Sequence, residues 1–241
     1  MWSIFRKEVA VFFNSLIAYI VIGVFLLLNG LLFWLYPETS ILDYGYAEMD
    51  GFFQWCPYIL LFFVPAITMR MFSEELRSGT IEFLLTRPVS LPAVIGGKYL
   101  SCIFIIVLAL LPTLIYYISL YQLGNPVGNI DSASVAGSYF GLVLLASVYA
   151  AVGLFMSSVT RNQVVAFLLT AVVCYILMAG LEQVSGLFSG GVQFILSYLG
   201  LSFHYSSLGK GVIDSRDVIF FVSVAFVFLV LTLSSLNNIR K

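Results

Sequence analysis

Long apolar runs separated by short polar connections dominate the chain. Crossing about 30 Å of hydrocarbon at about 1.5 Å per residue takes roughly 20 apolar residues in a helix. Six uncharged windows approach that length, at 16–36, 52–69, 99–121, 135–159, 164–181 and 218–236. Each predicts a transmembrane helix, so the predicted fold is an all-α integral membrane protein with a single domain over 1–241. Phe12 and Phe13 precede the first window and no small-residue cleavage site follows it, which predicts a retained helix rather than a removable leader.

A seventh uncharged stretch, 184–209, has a different composition. Between Leu187 and Gly209 only 12 of 23 residues are apolar, with five Ser and four Gly, whereas 15 of 19 are apolar in 218–236. Glycine-broken backbone at membrane depth survives only where protein or water covers it. The stretch therefore predicts a re-entrant pair of half-helices or an interfacial segment.

Composition agrees with a lipid environment. The chain is 61% hydrophobic and 10% charged, with 11 basic and 12 acidic residues, against about 25% charged in an ordinary globular domain. A net charge of −1 without a basic run excludes a nucleic-acid binder. Cys56, Cys102 and Cys174 each lie in an apolar stretch and read as small buried hydrophobes, and a lone histidine argues against a zinc site.

Orientation follows from the basic residues. With six spans and a cytoplasmic start, Arg6, Lys7, Arg70, Arg77, Arg87, Lys98, Arg161, Arg240 and Lys241 lie inside, and Lys210 and Arg216 outside. Counting 184–209 as a full crossing also gives nine against two, so charge does not separate the alternatives. Glu38, Asp43, Glu48, Asp50 and Asp131 fall on the external segments.

Two cytoplasmic elements stand apart. In residues 1–15, Trp2, Phe5, Val9, Phe12 and Phe13 recur at helical spacing opposite Arg6, Lys7 and Glu8, which predicts an elbow helix in the membrane interface. The other is the polar connection 70–98, RMFSEELRSGTIEFLLTRPVSLPAVIGGK. Ser73 with Glu74 and Glu75 is a helix-start signal, the Ser73 hydroxyl serving as cap. Ser78-Gly79 breaks the chain, Thr80 can cap a second short helix with Glu82 in its first turn, and Pro88 stops it. Ile81, Leu84 and Leu85 share a face of that second helix. A helix so short needs a surface to lie on: a groove in a soluble partner, the protein's own helix ends, or the headgroups.

These residues carry a resemblance. PAITMRMFSEELRSGTIEFLLTRPVS, with FSEE, R-x-G-T-x-E-x-L-L-T and the Pro that follows, resembles the corresponding segment of ABC-transporter permeases of the type-2 exporter class. The order of elbow, six spans and a broken segment before the last is similar across the whole chain. The external segment SILDYGYAEMDGFF and the length of 241 residues are most similar to the gliding-motility-associated permease subunits of the Bacteroidetes within that class.

The resemblance implies that 70–98 forms a coupling helix in a cleft of an ATP-binding subunit, with Glu74, Glu75, Arg77, Gly79, Thr80, Glu82 and Arg87 carrying the motif. The turn at 158–163, with Thr160, Arg161 and Asn162, sits where a second contact would fall, or is an ordinary tight loop. It implies a multi-pass protein of the bacterial inner membrane with cytoplasmic termini, paired with a second permease, identical or different. ATP and Mg belong on the ATPase subunit, and no cofactor is expected on this chain.

No G-x-x-x-x-G-K-[ST] occurs, so the chain is expected to have no ATPase site of its own. A membrane protease is disfavoured by the lack of an Asp pair, G-x-S-x-G or H-E-x-x-H in the spans. Export and force transmission would use the same coupling helix, and cargoes such as a copper-enzyme maturation factor, a drug or an ion stay open. Glu182 and Lys98 read as helix-end residues reaching the interface, and His204 as a pH-responsive group or interfacial packing. Pro57, Pro65 and Pro112 can kink their spans.

Overall fold

The computed structural model describes residues 1–36, 48–81, 90–208 and 214–239. Among them there is no strand. Helix α1 is Trp2–Phe13, α2 Leu16–Trp34, α3 Asp50–Thr68 and α4 Ser73–Ser78. Helix α5, Leu91–Leu110, passes through a 3₁₀ turn, Leu111–Thr113, into α6, Leu114–Leu123. Helix α7 is Ser132–Val159, and α8, Gln163–Tyr175, runs through a π-helical turn, Ile176–Gly180, into α9, Leu181–Ser185. Helices α10, Gly191–Leu199, and α11, Leu201–Leu208, precede α12, Ser215–Ile239.

Among the described residues six helices are long and apolar enough to cross a membrane: Leu16–Trp34, Asp50–Ser78, Leu91–Leu123, Ser132–Val159, Gln163–Ser185 and Ser215–Asn238. This is an all-α integral membrane protein. All six predicted windows fall within these helices or overlap them closely, but the third helix begins eight residues before its window. The Ser90-Leu91-Pro92 start explains the difference, since proline is tolerated in a first turn, where its missing N–H would have no partner.

Helix α7 forms the centre, packing against α3, α5, α8, α11 and α12. In its most apolar stretch 72% of residues are buried, against 17% for α12, which therefore offers most of its surface to lipid or to another subunit. Several polar groups within the spans bond along their own helices, which keeps them satisfied in lipid. Asn29 Nδ2 donates to the Phe25 carbonyl at 2.7 Å, Thr170 Oγ1 to Ala166 at 2.7 Å and Thr232 Oγ1 to Phe228 at 2.8 Å.

The prolines divide by context. Pro57 and Pro65 lie inside α3 without ending it, while Pro112 sits in the 3₁₀ turn between α5 and α6. Helices α10 and α11 meet at Gly200 and pack against the bundle end opposite α4. Ser197 Oγ donates to Ser185 Oγ at 2.9 Å, and the Tyr205 hydroxyl donates to the Phe53 carbonyl at 2.8 Å. At nine and eight residues these helices are about 14 and 12 Å long, and neither crosses about 30 Å of hydrocarbon by itself.

Candidate functional site

The polar connection after α3 is built on span ends. Helix α3 ends at Thr68, four residues turn, and α4 begins at Ser73 with Glu74 and Glu75 in its first turn. The expected cap is replaced by one from elsewhere in the fold. Ser73 Oγ donates back to the Met69 carbonyl, and the backbone N–H groups of Phe72 and Ser73 donate to Ser157 Oγ, 2.9 and 3.0 Å away. Ser157 Oγ in turn donates to Met69 O at 3.1 Å. A buried serine on α7 thus performs the capping that a local hydroxyl usually supplies.

The far end of α4 follows the sequence. Gly79 takes φ +72°, a left-handed terminator suited to a residue without a Cβ. Ser78 Oγ lies 2.8 Å from Thr80 Oγ1 and donates to the Glu74 carbonyl at 2.8 Å. Glu74, Arg77, Gly79 and Thr80 are exposed, whereas Glu75 is half-buried and Ile81 buried. Glu82 and Arg87, with Leu84, Leu85 and Pro88, lie outside the described residues.

Glu75 faces inward because of Lys98. The Lys98 ammonium is 1% exposed and donates to Glu75 Oε1 at 2.9 Å, Glu8 Oε1 at 3.0 Å and the Met71 carbonyl at 2.7 Å. Three donors meet three acceptors, which is the full capacity of a lysine. The Phe72 ring adds a cation–π contact at 5.0 Å. Lys7 lies 3.7 Å from Glu8 and 3.8 Å from Glu75, so two carboxylates and two ammonium groups balance.

Two expectations are corrected here. Lys98 does not reach to an interface: it lies two turns inside α5 and is buried. Glu8 is not on the solvent side of α1, for it is buried in line with Phe12, four residues on. The sequence signal was available in principle, since starting α5 at Leu91 puts Lys98 inside a membrane helix, where an ionisable group demands a partner.

Close approach permits this pairing. Gly97 adjoins α1 so tightly that a Cβ there would lie 3.0 Å from the Met1 carbonyl oxygen and 3.1 Å from Ile4 Cβ. Arg70 secures the other side of α1, with its guanidinium 5.6 Å from the centre of the Phe12 ring and Nη1 donating to Ser15 Oγ at 3.4 Å. Between α1, α4 and the first turns of α5 lies a cavity of about 600 Å³, lined by Lys7, Arg70, Glu74, Glu75 and Thr80 among others.

The turn after α7 lies at the same end of the bundle, since α4 packs against both α7 and α8. Arg161 and Asn162 are exposed and Thr160 is half-buried. Asn162 Oδ1 accepts from the Val164 N–H at 3.0 Å and caps α8, while Thr160 Oγ1 accepts from the Asn162 N–H at 3.2 Å. The fold therefore brings Glu74, Arg77, Gly79, Thr80 and Arg161 to one exposed end, and directs Glu75 into the protein. Cys56, Cys102 and Cys174 are buried thiols.

Five spans packed around a buried sixth, with a polar helix anchored at one end, make a multi-pass membrane bundle. Residues 2–238 match the family described as ABC-2 family transporter protein, and the chain belongs to that family. It is a membrane permease subunit of an ABC transporter, a class that works with an ATP-binding subunit. No curated protein matches the chain.

Proposed function

We propose that 70–98 is the coupling segment through which a separate ATPase subunit drives this permease, with ATP and Mg held by that subunit. The observation that carries this reading is the two-sidedness of α4. Its inner edge is tied to α7 by Ser157 and to α1 and α5 by Lys98. Its outer edge presents Glu74 and Arg77, of opposite charge, with Thr80 exposed just beyond its end. A push on that edge reaches three membrane elements as a rigid-body displacement. Arg161 and Asn162 supply the second contact on the same end.

In this reading the α4 end faces the cytoplasm, both termini are cytoplasmic, α1 is the interfacial elbow, and the membrane is the bacterial inner membrane. The re-entrant pair expected within 184–209 is α10 and α11, at the outer side. The exposed surface of α12 supports pairing with a second permease, identical or different. The similarity of SILDYGYAEMDGFF and of the overall length to gliding-motility permeases supports gliding motility as the process served.

The test is co-purification of the ATPase with the paired charge reversal Glu74→Lys, Arg77→Glu. Loss of the ATPase with normal membrane insertion is expected. Unchanged co-purification and unchanged ATPase stimulation would overturn the assignment.

A further inference from the structure

The histidine of this chain occupies an unusual enclosure at the end opposite α4. His204, on α11, is 1% exposed. Its Nδ1 lies 2.7 Å from Asp217 Oδ1 on the first turn of α12, and its Nε2 lies 2.9 Å from the Tyr198 carbonyl oxygen at the end of α10. A carbonyl only accepts, so Nε2 carries a proton. A contact of 2.7 Å between Nδ1 and a carboxylate oxygen needs a second proton between them. The pair therefore holds one proton more than a neutral imidazole beside a carboxylate.

Two surroundings place that proton on the ring. Aromatic faces and edges enclose the imidazole: Phe220 stacks at 3.9 Å between centroids, with Tyr198 at 4.9 Å and Phe203 at 5.3 Å. Such a cage favours a cation. Asp217 lies in the first turn of α12, where the positive end of the helix dipole favours an anion. Among the described residues Asp217 Oδ2 is buried without a hydrogen-bond partner, so the imidazolium is what compensates the carboxylate's charge. The neighbouring charged groups on this turn are Asp214, whose carboxylate accepts the Arg216 backbone N–H at 2.9 Å, and Arg216, which is exposed.

We infer that His204 and Asp217 form a buried proton-holding site, an imidazolium–carboxylate pair that latches α10 and α11 onto the last span. The site draws one group from each of α10, α11 and α12: the Nε2 proton ties α11 to α10, and the proton at Nδ1 ties α11 to α12. Phe203 also lines a cavity of about 460 Å³ with Glu182, Gln193, Ser202 and Ser206, and so separates the imidazole from that polar space. This inference is independent of ATPase coupling.

A single histidine makes the test direct, because ¹⁵N-histidine labelling yields one ring in the spectrum. In lipid nanodiscs at neutral pH, both ring nitrogens are expected to show a bonded proton. In Asp217→Asn one of them is expected to lose it, the amide then donating to a bare Nδ1. A bare nitrogen in the unaltered protein, or two protonated nitrogens in Asp217→Asn, would overturn the site.

The latch has its own readout. With the native cysteines replaced, spin labels at the exposed Ser206 and Val222 should give a narrow distance distribution that broadens in Asp217→Ala, which leaves Nδ1 without a partner on α12. An unchanged distribution would overturn the latch. The ¹⁵N measurement on the unaltered sequence needs no variant to fold.

Discussion

The two ends of the bundle each bury an ion pair, and they use it differently. At the α4 end, Lys98 joins Glu8, 90 residues earlier in the chain, to Glu75, 23 residues earlier. At the opposite end, His204 meets Asp217 only 13 residues away. The first pair crosslinks the N-terminal helix α1, a short helix and a span; the second fixes two short helices to the span that follows them. Loss of the first therefore releases segments distant in sequence, while loss of the second leaves its partners tethered by a short connection.

The chemistry differs too. Lys98 directs all three protons to protein acceptors and, together with Lys7, balances two carboxylates. Removing it strands like charges beside each other, which costs far more than the pair itself contributes. Lys98→Met should destabilise the protein by about 3–5 kcal/mol. Adding Glu8→Gln and Glu75→Gln should restore much of that loss. Thermal unfolding in detergent checks both, and a triple variant no better than Lys98→Met would show that packing of the lysine chain, rather than charge, dominates the site.

A smaller loss distinguishes capping from charge. Ser157→Ala leaves the N–H groups of Phe72 and Ser73 without their acceptor while preserving every ion pair around Lys98. About 1–3 kcal/mol should be lost. Hydrogen exchange should accelerate at residues 72–76 and stay unchanged at 198–217. Acceleration at both ends would mean that the ends are coupled through α7, and the contrast drawn between them would fail.

Much of this was legible in the sequence. Hydrophobic runs gave the six spans because lipid imposes one length and one composition on each. The break at Ser78-Gly79 and the glycine-broken stretch before the last span were legible for the same local reason, as backbone preference acts within a few residues. Lys98, Glu8 and Ser157 were missed because their meaning lies in contacts more than 80 residues apart, such as Lys98 with Glu8 and Ser157 with Ser73. Of the motif Glu74 to Arg87, the sequence could not show that Glu75 turns inward while Glu74 and Arg77 face out. Helical spacing separates faces, but only the partner identifies which face is the inner one. The π turn at Ile176–Gly180 likewise left no signal in the apolar pattern.

The smallest effect isolates the α4 terminus from everything that anchors it. Gly79 is exposed, and a Cβ there meets nothing within 4 Å among the described residues, so Gly79→Ala introduces no clash with them. What it introduces is a side chain at φ +72°, a backbone state that costs an L-residue about 1–2 kcal/mol. The exposed terminus can relieve that strain by unwinding a turn, so global stability should fall by no more than about 1 kcal/mol. The geometry handed on to Thr80 and the residues after it should nevertheless change, while Ser157 and Lys98 stay bonded to the start of α4. ATPase binding should therefore weaken more than stability does, measured by titrating the ATPase onto the permease in nanodiscs. If binding and stability fall in step, the terminus has no role of its own, and α4 matters only as part of the anchored end.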